Sequence, residues 1–156
     1  VVASNLAANF GGNVIAANFI GKAITASYAD LAERFAADAP MQPGTVVELG
    51  GVAEITRSTA ELSDKVFGVI STNAAYLMNS RAGNDVTHPP VAVQGRVPVK
   101  VIGQVKKGDR LVSAGYGHAR AGKKSEITAW NVIGRALENK TTDGVGVIEA
   151  VVKLNS

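Results

Sequence analysis

Residues 91–101 read VAVQGRVPVKV, with valine at Val91, Val93, Val97, Val99 and Val101 and Ala92, Gln94, Arg96 and Lys100 between them. A period of two means a strand with one buried and one wetter face. Gly95 and Pro98 break the pattern. Glycine inside a strand marks a bulge or a close backbone approach, and proline has no N–H for a ladder, so this strand must bulge or run along an edge.

Working outward, 80–90 is polar, ends in His88, Pro89 and Pro90, and reads as a loop. KVFGVIS (65–71) is a buried strand carrying a glycine, and NAAYLMN (73–79) is a helical turn or an irregular loop. TVVEL (45–49) and VAEIT (52–56) flank Gly50 and Gly51, a two-residue hairpin signal. On the other side, Lys107, Gly108 and Asp109 turn into a strand at Arg110–Ser113. A glycine-rich loop at 114–125 carries Tyr116, His118 and Arg120. Residues 129–137 and 145–154 pair across 139–144 as a final hairpin. Eight or nine short, closely spaced strands predict an all-β sandwich or barrel-like head over 44–156. Before it, Asp30 followed by Glu33 matches a capping box, which predicts a short helix ending near Asp38 in a connector at 31–43.

The first thirty residues repeat. LAANF (6–10), IAANF (15–19) and ITASY (24–28) stand nine residues apart, and Gly12 and Gly21 close the first two units. Leu6, Ala8, Phe10; Ile15, Ala17, Phe19; and Ile24, Ala26, Tyr28 form one apolar set at strand spacing. One unit buries enough for only a few kcal/mol at about 25 cal/mol per Å². Ordering its backbone costs roughly 1–2 kcal/mol per residue. A single chain therefore loses, whereas copies around a three-fold axis share a core. Residues 1–30 read as a homotrimeric shaft whose core is Leu6, Phe10, Ile15, Phe19, Ile24 and Tyr28.

Composition narrows the function. Hydrophobic residues make up 46% but aromatics only 5%, and glycine stands at 17 of 156, which suits thin β-structure with close backbone approaches or self-association. Net charge is 16 − 13 = +3, without a basic run. Lys106-Lys107 and Lys123-Lys124 read as solvated turns, so nucleic acid is not expected as a partner. Absence of cysteine excludes disulfides, thiolate metal sites and thiol nucleophiles. No apolar run has the length of a membrane span. The first residue is Val1, which suggests a piece or a processed product.

Catalytic patterns are missing. His88 and His118 lie thirty residues apart, in no metal-binding spacing, so neither metal nor cofactor is expected. Ser71, Ser113 and Ser125 lack the glycine-flanked elbow of hydrolases. Glu48 and Glu54 oppose each other across the first hairpin, but alternate with apolar neighbours and read as its solvent face. Gly115-Tyr116-Gly117 and Gly144-Val145-Gly146 lack the third glycine and the following helix of a nucleotide loop. No catalytic residue is assigned. Aromatic side chains are better evidence for binding: Trp130 reads as a head-core residue, and Tyr116, between glycines, as exposed.

The motifs YADLAE (28–33), PGTVV (43–47), VISTNAAYLMN (69–79), GRVP (95–98), VKKGD (105–109) and IGRAL (133–137), with the closing 146–152, occur in an order that resembles the C-terminal head region of tail-fibre proteins from tailed bacteriophages and prophages. The resemblance covers most of 28–154. It implies an adhesive virion protein of the phage tail, made in the host bacterial cytoplasm. The implied partners are its own copies in a homotrimer, the rest of the fibre and a bacterial surface receptor such as a polysaccharide. Some such heads are described as autoproteolytic trimerisation domains, which leaves a self-cleaving assembly domain as an alternative. A purely structural trimerisation or decoration module is another. Tyr116 for stacking, with His118 and Arg120 for hydrogen bonds to an anionic glycan, is the expected receptor site.

Overall fold

The computed structural model describes residues 11–18, 20 and 25–153. Ten strands form, and among the described residues there is no helix. They are β1 (Asp30–Arg34), β2 (Val46–Leu49), β3 (Ile55–Arg57), β4 (Val66–Ile70), β5 (Tyr76–Met78), β6 (Pro90–Ile102), β7 (Arg110–Gly115), β8 (His118–Ala121), β9 (Val132–Ala136) and β10 (Val145–Lys153).

The alternating stretch becomes β6, the hub of the molecule. Its first half pairs with β1 and β4, and its second half runs antiparallel to β10 from Gln94↔Lys153 to Ile102↔Val145. The path β10-β9-β7-β8-β6 is closed by the β6–β10 pairing, so these five strands make a small barrel. Closure removes the exposed edges that an open sheet would present. β4, β2 and β3 continue the sheet from β6, and β5 runs parallel to β1.

Both interruptions in β6 have a structural reason. At Gly95 (φ +107°) a Cβ would fall 2.2 Å from the Ala29 carbonyl oxygen, and the β1 register slips beside it, between Leu31 and Ala32. At Pro98 no donor is missed. The N–H of Arg96 donates to Ala29 and that of Lys100 to Gly44, and Pro98 stands between these two attachments.

Side chains follow the period of two. On β10, Ile148, Ala150 and Val152 are buried while Val145, Val147 and Val151 face out. Inside the barrel Val97, Val99, Val101, Leu111, Ala119 and Ile133 meet Ile148 and Val152 in one cluster. A second cluster joins Val47, Ile55, Ile70 and Val91 with Phe35 and Phe67, whose rings stand edge to face at 5.0 Å. Valine and alanine suffice because the barrel is narrow and its backbones lie close.

Three local expectations are corrected. Residues 30–34 form a strand and not a capped helix, because β6 offers Asp30–Arg34 a ladder of backbone bonds, whereas a short helix must pay for its own nucleation. NAAYLM ends in strand β5, Leu31↔Tyr76 to Glu33↔Met78, and not in a helical turn. The first hairpin forms, but its turn spans 50–54 instead of two glycines. Glu54 and Ile55 both donate to the Ala36 carbonyl, which delays the return strand until Ile55.

Candidate functional site

The segment 114–125 is a tight hairpin and not a long loop: β7 ends at Gly115, Tyr116 and Gly117 turn the chain, and β8 starts at His118. Tyr116 sits at the tip, 75% exposed, with φ +52°, a left-handed conformation that costs a non-glycine residue about 1 kcal/mol. His118 is half-buried.

Arg120 cannot serve as a free anion contact. Its Nε donates to Glu61 Oε1 at 2.6 Å, and its Nη1 to Glu126 Oε2 and the Ala121 carbonyl, both at 2.9 Å. The Arg120 hydrogen bond, aided by the Lys123 backbone N–H, holds the Glu126 carboxyl below its ordinary range. Lys123 also faces Glu126, at 3.8 Å. Arg120 is thus held between Glu126, six positions downstream, and Glu61, 59 positions upstream.

Two further expectations fail. Trp130 is 58% exposed and not a core residue. It lies in the link 122–131, whose turn is organised instead by Asn131, buried, accepting from Thr128 N–H and donating to the Glu126 carbonyl. Glu48 is buried and not on the solvent face. Its carboxylate accepts from Thr59 Oγ1 at 2.8 Å and Ser63 Oγ at 2.7 Å, because a register shift in β2 at Val47/Glu48 turns it inward.

The loop before β6 is tied down. Arg34 Nη1 donates to Asp85 Oδ1 at 2.8 Å and to the His88 carbonyl at 2.6 Å, while Asn84 Oδ1 accepts from the N–H groups of Val86 and Thr87. The His88 ring contacts Thr87 Oγ1. No cluster of three metal-ligating side chains occurs among the described residues.

Of the residues assigned to a shaft core, Leu6, Phe10, Phe19 and Ile24 lie outside the described residues. Ile15 is 95% exposed and Tyr28 55% exposed on the single chain, and Val14 and Ile20 are exposed too.

A site that sequence reading missed lies where this leader enters the head. Tyr28, Asp30, Ser71, Asn73, Arg96 and Glu149 help line a depression of about 300 Å³. Asp30 and Ser71 are buried, at 4% and 3% exposure, and Asp30 Oδ2 and Ser71 Oγ make no well-formed hydrogen bond. Burial pushes the Asp30 carboxyl above its ordinary value. The nearby Ser71 hydroxyl and the residue's own backbone N–H pull it back only in part. Unsatisfied buried polar atoms cost about 1–3 kcal/mol each and are rare in stable folds. No motif marks this site, since its residues are drawn from β1, the segment after β4, β6 and β10.

No protein-family model matches the sequence. No curated protein matches it. Solved structures do. The C-terminal fragment of bacteriophage phi29 gene product 12 superposes with a TM-score of 0.57 at 19% identity, over 80% of this chain and 100% of the fragment. The pre-mature gene product 12 of the same phage gives 0.59 at 19% identity, over 92% of this chain and 24% of that one. The base of the phi29 head fibre, gp8.5, gives 0.47 at 16% identity. The chain thus shares the fold of a bacteriophage gene product 12 C-terminal fragment, and spans about a quarter of that protein's pre-mature form.

Proposed function

We propose that this chain is the distal part of a trimeric fibre or appendage of a tailed bacteriophage, and that it attaches the virion to a bacterial surface glycan. The observation that carries the reading is the fold likeness over the whole length of the gene product 12 fragment. The leader supports it independently. Val14, Ile15 and Ile20 expose apolar side chains on the single chain, and neighbouring copies would cover them. Three copies would also present each head surface three times, so that modest affinities multiply through effective concentration. No catalytic step belongs to this reading.

Light scattering on the purified chain tests the assembly, with three times the chain mass expected. A stable monomer at micromolar concentration would refute it. Replacing Phe10 and Phe19 with Ser should weaken the trimer and leave the head's β-structure in place. Adsorption to host cells but not to non-host cells tests adhesion. A trimer that adsorbs to neither is a structural or decoration module.

One observation favours a second reading, a self-cleaving assembly domain: Asp30, a buried carboxyl held above its ordinary pKa, stands at the junction of leader and head. The intact mass of a longer precursor decides between them. A cut at one fixed position near this junction supports self-cleavage, and an uncut chain after assembly refutes it.

A further inference from the structure

The last strand, β10, is apolar on both of its faces. An antiparallel strand with one face in the core and one in water alternates apolar and polar residues, whereas a strand covered on both faces reads as a near-continuous apolar run. VGVIEAVVK is such a run. Ile148, Ala150 and Val152 point into the core, yet three of the five outward positions, Val145, Val147 and Val151, are also valine. On the single chain these are 60%, 59% and 42% exposed. The stripe continues onto both neighbouring strands. Ile102 of β6 stands opposite Val145 and is exposed, and on the β9 side Val132, Ile133, Leu137 and Val151 line an apolar groove of about 380 Å³.

Charge selects what covers this face. Glu149 is half-buried in the middle of the stripe, between Val147 and Val151, and Arg96 and Arg135 flank Val151 from β6 and β9. None of these three side chains is in an ion pair within the described chain. A lipid surface or an apolar small molecule would leave the Glu149 carboxylate desolvated and unpaired. A second copy of the same chain brings valines to the valines, and for each of these charges the opposite one. Position agrees. The leader joins the head beside the stripe, where the Ala29 carbonyl accepts from the Arg96 N–H and Tyr28 stands with Arg96, Pro98 and Glu149 around the junction depression. Copies associated through the leader would therefore hold their β10 faces together at high effective concentration. We infer that the outward face of β10 is where the heads of neighbouring copies pack against one another around the three-fold axis. The inference rests on the trimeric reading above and extends association from the leader to a defined surface of the head.

The sequence has no cysteine, so one introduced thiol reports on one position. Val147→Cys is compared in the full chain with Val52→Cys, at a 100% exposed position beside β3, at the other end of the strand order from β10. In the trimer, maleimide should label position 147 about tenfold more slowly than position 52, and the difference should vanish in dissociated chains. Val147→Asp combined with Val151→Asp, both outward on the single chain, should weaken association by about tenfold or more in light scattering, and Val52→Asp should not. If the Asp pair disturbs folding, labelling of the milder cysteine variants still decides. Equal labelling of both positions in a trimer, or an Asp pair that associates like wild type, overturns the inference and leaves the trimeric reading standing. Protection at 147 that persists in monomeric chains, or that is lost on deletion of residues 154–156 while the trimer remains, makes the chain's own end the cover and overturns it too. A wild-type chain that is monomeric removes the trimeric reading, and this inference with it.

Discussion

Close backbone approach, rather than large side chains, holds this head together, and three glycine substitutions can isolate that effect. Gly95→Ala combines two penalties. Its φ of +107° is a conformation that L residues rarely adopt, and the new Cβ would meet Ala29 O at 2.2 Å and Asp30 Cα at 2.9 Å. Strained backbone costs about 1–3 kcal/mol, and overpacking costs about 1–3 kcal/mol more, which sums to roughly 4 kcal/mol. Gly134→Ala carries only the contact, with its Cβ 2.2 Å from Val151 O and 2.9 Å from Val152 Cα, so about 2 kcal/mol is expected. Gly103→Ala carries only the backbone penalty, φ +78° in open space, worth about 1 kcal/mol. In a chain of this size each kcal/mol lowers Tm by about 2–4 °C, so Gly95→Ala should lose roughly 8–16 °C. Urea and thermal unfolding at one fixed protein concentration read the series. Hydrogen exchange in Gly95→Ala should rise first in β1, whose junction with β6 is the place of contact. A loss in Gly103→Ala equal to that in Gly95→Ala, or a Gly134→Ala protein within about 0.5 kcal/mol of wild type, would refute the account.

Three further outcomes follow from particular contacts. Glu48→Ala should cost about 2–3 kcal/mol in urea unfolding, because the Thr59 and Ser63 hydroxyls lose their shared acceptor. Arg120→Ala should cost about 1–2 kcal/mol and speed hydrogen exchange across 121–131, and Arg120→Lys should rescue little, because a single ammonium cannot reproduce the fork to Glu61 and Glu126. For Asp30, burial raises the folded-state pKa above 3.8, so the folded state binds more protons than the unfolded one. Stability should therefore fall as pH rises from about 3.8 through that raised value. Asp30→Asn should flatten this slope in pH-dependent urea unfolding and be the more stable protein at pH 7. An unchanged slope would refute the role given to Asp30.

Strand content was legible because a period of two is written residue by residue. The alternation of 91–101 and 145–153, and the paired strands at 45–57 and 129–153, needed no knowledge of neighbours, and Gly95 and Pro98 announced the places where β6 departs from a regular ladder. Local chemistry misled wherever a distant partner outbid it. The capping pattern at Asp30–Glu33 yielded to pairing with β6. By its neighbours in sequence Arg120 reads as a free cation, but Glu61 folds against it, and Glu48 reads as a solvent residue, but a register shift turns it toward Thr59 and Ser63. The candidate site shows the division most clearly. Tyr28, Asp30, Ser71, Asn73, Arg96 and Glu149 share no motif and span more than a hundred positions, and they line one depression only because β6 pairs with β1 at one end and β10 along its length. Periodicity and turn chemistry are local and determine which segments are strands. Register, closure of the barrel and the environment of each polar side chain depend on pairings remote in sequence, and those the tertiary structure alone decides.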